Sequence, residues 1–115
     1  MPNPRMTLQT QLVLDELLKD PGKPRYGLEL CEDCGLPSGT VYPILARLEQ
    51  VGWMESYWES PEAHVLDRRP RRRYYRLTRD GAEYAGQALR QARLRNRAAA
   101  RRWGVPVPGS SGAFS

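Results

Sequence analysis

Between Tyr26 and Gly52 the chain has room for two helices and almost nothing between them. Residues from about Tyr26 to Cys34 read as a short helix stopped by Gly35. Leu36-Pro37-Ser38 is a tight connection into "SGTVYPILARLEQVG", which ends at Gly52. In that second stretch Val41, Ile44, Leu45 and Leu48 fall at i, i+3, i+4 and i+7, the spacing of one buried helix face. Two helices joined by three or four residues form a helix-turn-helix, and no other feature restricts the fold as strongly. Pro43 interrupts the run, where a proline removes a hydrogen bond and crowds the preceding turn. With Thr40 as N-cap, Pro43 would be the third helical residue and cost little, because the first N–H groups of a helix have no internal partner. With Ser38 as the cap it would lie deeper and bend the first turn.

The flanking segments complete a small domain of 115 residues with one modest core. Residues 1–6 read as frayed. Thr7 can cap a first helix to about Lys19, with Val13, Leu14, Leu17 and Leu18 as its apolar stripe, and Asp20-Pro21-Gly22-Lys23-Pro24 breaks it. After Gly52, Trp53–Glu59 reads as an aromatic-rich strand. Residues 60–72 read as a loop with two prolines, and Arg73–Leu77 as a returning strand with Tyr75 and Leu77 on one side. So long a hairpin loop points to function. The expected fold is mostly α with a small β-hairpin: a winged helix-turn-helix over residues 1–77, a long C-terminal dimerisation helix over 78–103, and a flexible tail over 104–115.

Thr78 can cap that last helix, with Asp80 and Glu83 at its positive end. Ala82, Ala85, Leu89, Ala92, Asn96, Ala99 and Trp103 follow a 3-4-3-4-3-4 spacing, and a polar Asn96 in such a seam suits register control between two helices. The expected use of Ala85, Leu89, Ala92, Asn96, Ala99 and Trp103 is homodimerisation. The competing use is a helix folded back on the first helix of its own chain.

Net charge is +5, and 16 of the 18 basic residues are Arg. A GC-rich genome would produce an Arg bias but would scatter it. Here seven Arg lie between Arg68 and Arg79 and six between Arg90 and Arg102. Clustering of residues that match phosphate geometry points to a polyanionic partner.

Cys31 and Cys34 form "CEDC". Zinc needs more ligands than the one distant His64 supplies, so the pair reads as small apolar residues near a helix end with Gly35 as C-cap, or as a redox switch. No nucleophile–base pair, metal cluster or Gly-rich phosphate loop is present, so no enzyme, cofactor or metal is expected. Asp15, Glu16, Glu29, Glu32 and Asp33 read as solvated faces. No apolar run reaches the ~18 residues of a membrane span and the N-terminus lacks a secretion h-region, so a cytoplasmic protein is expected.

On the helix from Ser38, the face opposite the apolar stripe carries Gly39, Tyr42, Pro43, Ala46, Arg47 and Gln50. Small, aromatic and amide-bearing, with Arg47 its only charge, it suits a surface pressed into a groove. Ser38, Gly39 and Thr40 sit at the positive helix end, where a phosphate can bind. Plain capping by Ser38 and Thr40 is the alternative.

"YGLEL" (26–30), "LPSGTVYPILARLEQVGWMES" (36–56) and "RRPRRRYYRLTRDG" (68–81) together resemble the PadR-like transcriptional regulators, in order and spacing over about residues 8–90. The C-terminal part is similar to the short branch with a single dimerisation helix. The resemblance implies a homodimeric winged-helix repressor whose third helix enters the major groove of double-stranded DNA at a palindromic operator. By that match Ser38, Gly39, Thr40, Tyr42, Pro43 and Arg47 would lie on the recognition helix. Arg69, Pro70, Arg71 and Arg73, with Arg72 between them, would form the wing, and Tyr26 and Gly27 would open the supporting helix and could hold a phosphate. The sequence departs from the family in having Arg68 where a Gly precedes Arg-Pro, and "PSG" for "SPG". Some members respond to small aromatic effectors at the dimer interface. Trp103 could line such a site here, Trp53 and Trp58 reading better as core, and no effector is assigned. The alternatives to a DNA-binding regulator are a winged-helix module that binds protein, which the Arg-dense wing disfavours, and an RNA binder that stacks bases on Tyr and Trp.

Overall fold

In a computed structural model that describes residues 3–104, five helices and three short strands follow one another. They are α1 (Leu8–Leu18), β1 (Arg25–Tyr26), α2 (Gly27–Cys34), α3 (Ser38–Gln50), β2 (Met54–Trp58), α4 (Pro61–Asp67), β3 (Arg73–Leu77) and α5 (Arg79–Trp103). The tail expected beyond residue 104 lies outside the described residues.

Both expected threonine caps are present. Thr7 Oγ1 accepts from the Thr10 N–H at 3.2 Å and Thr78 Oγ1 accepts from the Gly81 N–H at 2.9 Å. Val13, Leu14, Leu17, Leu30, Val41, Leu45 and Leu48 form the centre of the core, with Trp53, Met54, Tyr75 and Leu77 closing it from the sheet. The core runs past residue 77, because Ala85 and Ala88 of α5 belong to it. Gly81 shows why a residue without a side chain stands there: a Cβ would meet the Trp53 carbonyl oxygen at 1.9 Å.

Four sequence expectations change. The expected hairpin is a three-stranded antiparallel sheet of order β1-β3-β2, because Arg25 and Tyr26 pair with Tyr75 and Tyr74 before α2 begins. Two residues carry no strand periodicity, so β1 is invisible to pattern reading. The loop over 60–72 contains α4, with Pro61 as its first residue, where a proline is pre-organised and loses no bond. Residues 3–6 are described, and Pro4 is buried. Finally, Glu16, Glu29 and Asp33 are not merely solvated: all three carboxylates bind the buried Arg25 guanidinium and tie β1 to α1 and α2.

The seam on α5 is also redirected. Ala85, Leu89 and Ala92 are buried within the chain, Asn96 Nδ2 donates to Gln11 Oε1 at 3.3 Å, and Arg93 pairs with Asp15. This side of α5 therefore packs on α1, the competing reading above, because the narrow Ala-rich stripe fits closely against a helix already at hand. Only Ala99 and Trp103, farther along α5, are exposed.

Candidate nucleic-acid interface

The cap of α3 falls one residue before Ser38 and three before Thr40, the two expected caps. Pro37 is the N-cap, and Pro43 is the sixth residue of a helix that continues through it. Its missing N–H leaves the Gly39 carbonyl without its i+4 donor, and both residues are exposed to water. Ser38 and Thr40 do not cap: their hydroxyls make no hydrogen bond among the described residues, while the Thr40 N–H reaches the Pro37 carbonyl at 2.9 Å. The N–H groups of Ser38 and Gly39 have no helical acceptor.

The two faces of α3 separate as the spacing implies. Val41, Leu45 and Leu48 are fully buried, Ile44 is half-buried against the core, and Ser38, Gly39, Tyr42, Pro43, Ala46, Arg47 and Gln50 are exposed. Tyr42 is 40% exposed and its ring rests on α2. A Cβ on Gly27 would lie 2.5 Å from the Tyr42 ring, so the glycine after Tyr26 is what lets this ring settle. Gly27 itself is buried.

The wing is built from charge and aromatic rings. Glu59, at the end of β2 and only 8% exposed, accepts from both terminal nitrogens of Arg69 (2.5 and 3.0 Å) and from the Arg72 N–H (2.8 Å). Its carbonyl accepts from Arg71 Nη2 at 2.9 Å. Arg69 foremost holds the Glu59 carboxyl down at about 2 against the opposing effect of burial, and the Arg72 amide adds to the lowering. Arg69 thus faces inward to Glu59 and Asp67. Arg71 and Arg73 lie 5.7 and 5.4 Å from the centre of the Trp58 ring, and Arg72 lies 4.1 Å from that of Tyr26. Trp58, expected in the core, is 51% exposed, because β2 ends there with its last side chains outside the sheet's buried face. Arg68 adopts φ 52°, the left-handed conformation a glycine would take more easily.

A polar bridge joins the wing to α3. Arg73 Nη2 donates to Ser56 Oγ at 2.7 Å, and Ser56 Oγ donates to Glu49 Oε1 at 2.5 Å. Between α2, α3 and the wing lies a groove of about 430 Å³, with Tyr26, Tyr42, Trp58, Arg71 and Arg72 among its lining residues. The structure thus brings Tyr26 and Gly27 of the supporting helix, Tyr42 of α3 and Arg69, Arg71, Arg72 and Arg73 of the wing around one groove, whereas Ser38, Gly39, Thr40, Pro43 and Arg47 do not line it. Sequence reasoning missed Trp58, Glu49 and Ser56. The aromatic–Arg alternation of "YWE" and "RRRYY" was the available signal for the first.

Cys31 is buried and Cys34 partly so, and both are free thiols. Burial pushes the Cys34 thiol up to about 11, which suppresses the reactive thiolate. Gly35 closes α2 in the left-handed conformation expected of the C-cap. Among the described residues no group of His, Cys, Asp and Glu could hold a metal, and no helix is long and apolar enough to cross a membrane.

A helix-turn-helix backed by a three-stranded sheet, with an arginine-bearing wing beside its second helix, defines a winged helix-turn-helix protein. The model of the transcriptional regulator PadR-like family matches residues 14–87, more than half of the chain, and the chain belongs to that family. Among solved structures it is similar to a PadR family transcription regulator from Clostridium difficile R20291, at 24% identity and a TM-score of 0.63, over 83% of this chain and 97% of that one. It is also similar to a transcriptional regulator from Clostridium thermocellum, at 24% identity and 0.62, over 81% and 87%. A third similar structure is Bordetella bronchiseptica BpsR, whose DNA binding is regulated by 6-hydroxynicotinic acid, at 20% identity and 0.62, over 99% and 77%. These likenesses show the fold. No curated protein matches the chain.

Proposed function

We propose that the protein is a homodimeric repressor that binds a palindromic DNA duplex. The observation that carries this reading is the exposed face of α3, almost free of charge, set beside an arginine-bearing wing across an open groove. On this reading α3 enters the major groove. The free N–H groups and hydroxyls of Ser38, Gly39 and Thr40 take a phosphate, Tyr42, Pro43 and Arg47 face base edges, and Arg71, Arg72 and Arg73 meet the backbone as their rings and carbonyl release them. Arg69 acts by shaping the wing through Glu59, and Gly27 by seating Tyr42. The second copy covers exposed apolar residues left by the α1–α5 packing: Leu8 and Leu12 on α1, with Ala99 and Trp103 on α5. Two-fold symmetry then spaces the half-sites by one or two turns of the duplex.

The test is fluorescence anisotropy with the duplex upstream of the protein's own gene against a scrambled duplex, at several salt concentrations. The expected result is tighter binding to the upstream duplex, with a log–log salt slope matching roughly 6–10 phosphate contacts. Absence of binding to any duplex at low salt overturns the reading and favours a protein-binding module.

A further inference from the structure

The exposed face of α3 has a groove on each side. On one side Tyr42 looks toward the wing. On the other, Pro43, Ile44, Arg47 and Leu48 share a groove of about 230 Å³ with Pro4, Arg5, Thr7 and Thr10. The N-terminal segment is pinned there rather than frayed. Pro4 is buried, Gln11 Nε2 donates to the Met6 carbonyl at 2.9 Å, and Thr7 is held as the cap of α1.

Two arginines border this second groove, and no acidic residue lines it. Among the described residues neither Arg5 nor Arg47 has a hydrogen bond or ion pair, and both are exposed. The contrast with other arginines is direct: Arg25, Arg69, Arg73, Arg76 and Arg93 each pair with a carboxylate. Like charges sharing a groove without a counter-charge raise the local positive potential and favour an incoming anion. The planar fork of a guanidinium fits phosphate oxygens in particular.

We infer that residues 3–7 are a third DNA-contacting element, and that Arg5 holds a backbone phosphate across the major groove from the wing. The inference rests on the α3 reading proposed above, since α3 in the groove puts its two flanks against the two strands that border it. Arg5 lies on the flank and Arg47 on the exposed face, so Arg5 positions the domain while Arg47 is the nearer to base edges. A backbone contact carries no sequence preference.

The test uses the full-length protein, with Arg5→Gln and Arg5→Lys, on the upstream and scrambled duplexes across a salt series. For Arg5→Gln, both duplexes should weaken by a similar factor, about three- to tenfold, and the log–log salt slope should fall by about 0.9 for each copy bound. Arg5→Lys should restore the slope, and thermal melting should be the same for all three proteins. An unchanged slope in Arg5→Gln overturns the inference, as does a loss confined to the upstream duplex, which would make Arg5 a base reader. Saturation of the Arg5 NMR signal by inorganic phosphate at millimolar concentration without DNA also overturns it, in favour of a free-anion site. Wild-type protein that binds no duplex at all sinks the parent reading. Failure in the Arg5 variants alone leaves that reading standing.

Discussion

Val41, Leu45 and Leu48 hold α3 by complete burial, whereas Glu59, Arg69 and Arg72 hold the wing by charge-assisted hydrogen bonds near the surface. Both elements border one groove, yet they answer to different conditions. Burial of apolar area is indifferent to pH and strengthened by many salts. Paired charges at a surface weaken with salt and with protonation of their acid. The helix is therefore a rigid template, and the wing an adjustable neighbour coupled to it through Arg73, Ser56 and Glu49.

The largest effect that would test this division comes from the core. Leu45→Ala should cost about 2–5 kcal/mol and lower the melting temperature of the whole domain. A thermal melt in which the helices survive unchanged would mean that α3 is not held by its buried face. Next in size, Arg71→Ala combined with Arg73→Ala should weaken both upstream and scrambled duplexes by about tenfold and lower the salt slope, with little change in melting. Tyr42→Ala should instead reduce the preference for the upstream duplex more than it weakens the scrambled one. If the two variants gave the same pattern, wing and helix would not divide positioning from reading.

Acid sharpens the comparison without a mutation. Glu59 titrates lower in the folded chain than a free carboxylate does. Its contribution is therefore complete above the ordinary carboxylate range and is lost as the pH falls toward about 2. Amide NMR signals of residues 59–73 should move in that window before those of residues 41–48 do. Simultaneous movement would show one cooperative unit. The smallest effect belongs to the wing turn: Arg68→Gly removes the left-handed conformation from a residue that resists it and should add about 1 kcal/mol to stability. Calorimetry showing a loss would mean that the Arg68 side chain contributes more than its backbone costs.

Much of the fold was legible because it follows local rules. Thr7 and Thr78 cap as their positions imply, Gly35 stops α2, and of the four-residue stripe expected on α3 Val41, Leu45 and Leu48 are buried while Ile44 is half-buried at its edge. What was illegible has a physical reason in each case. A strand as short as β1 exists only because β3 offers it hydrogen bonds. The helix α4 has too few residues to carry a period, although Pro61 marks its start. Trp58 has a composition that favours the core, and only its place at the end of β2 leaves it outside, beneath two arginines.

The chain order by itself determined that two helices would meet in a tight turn, that one would carry a buried stripe and an almost uncharged face, and that arginines would gather beyond it. Those properties depend on neighbours within a few residues, where backbone geometry leaves little choice. Only the tertiary structure decided which charges are occupied, which remain open, and where α5 would pack. Glu59 takes Arg69, Gln11 takes Asn96, and Arg5 is left beside Arg47 with no acid in their groove. Such pairings join residues far apart in sequence, and they are settled by which surfaces the core brings within hydrogen-bond reach.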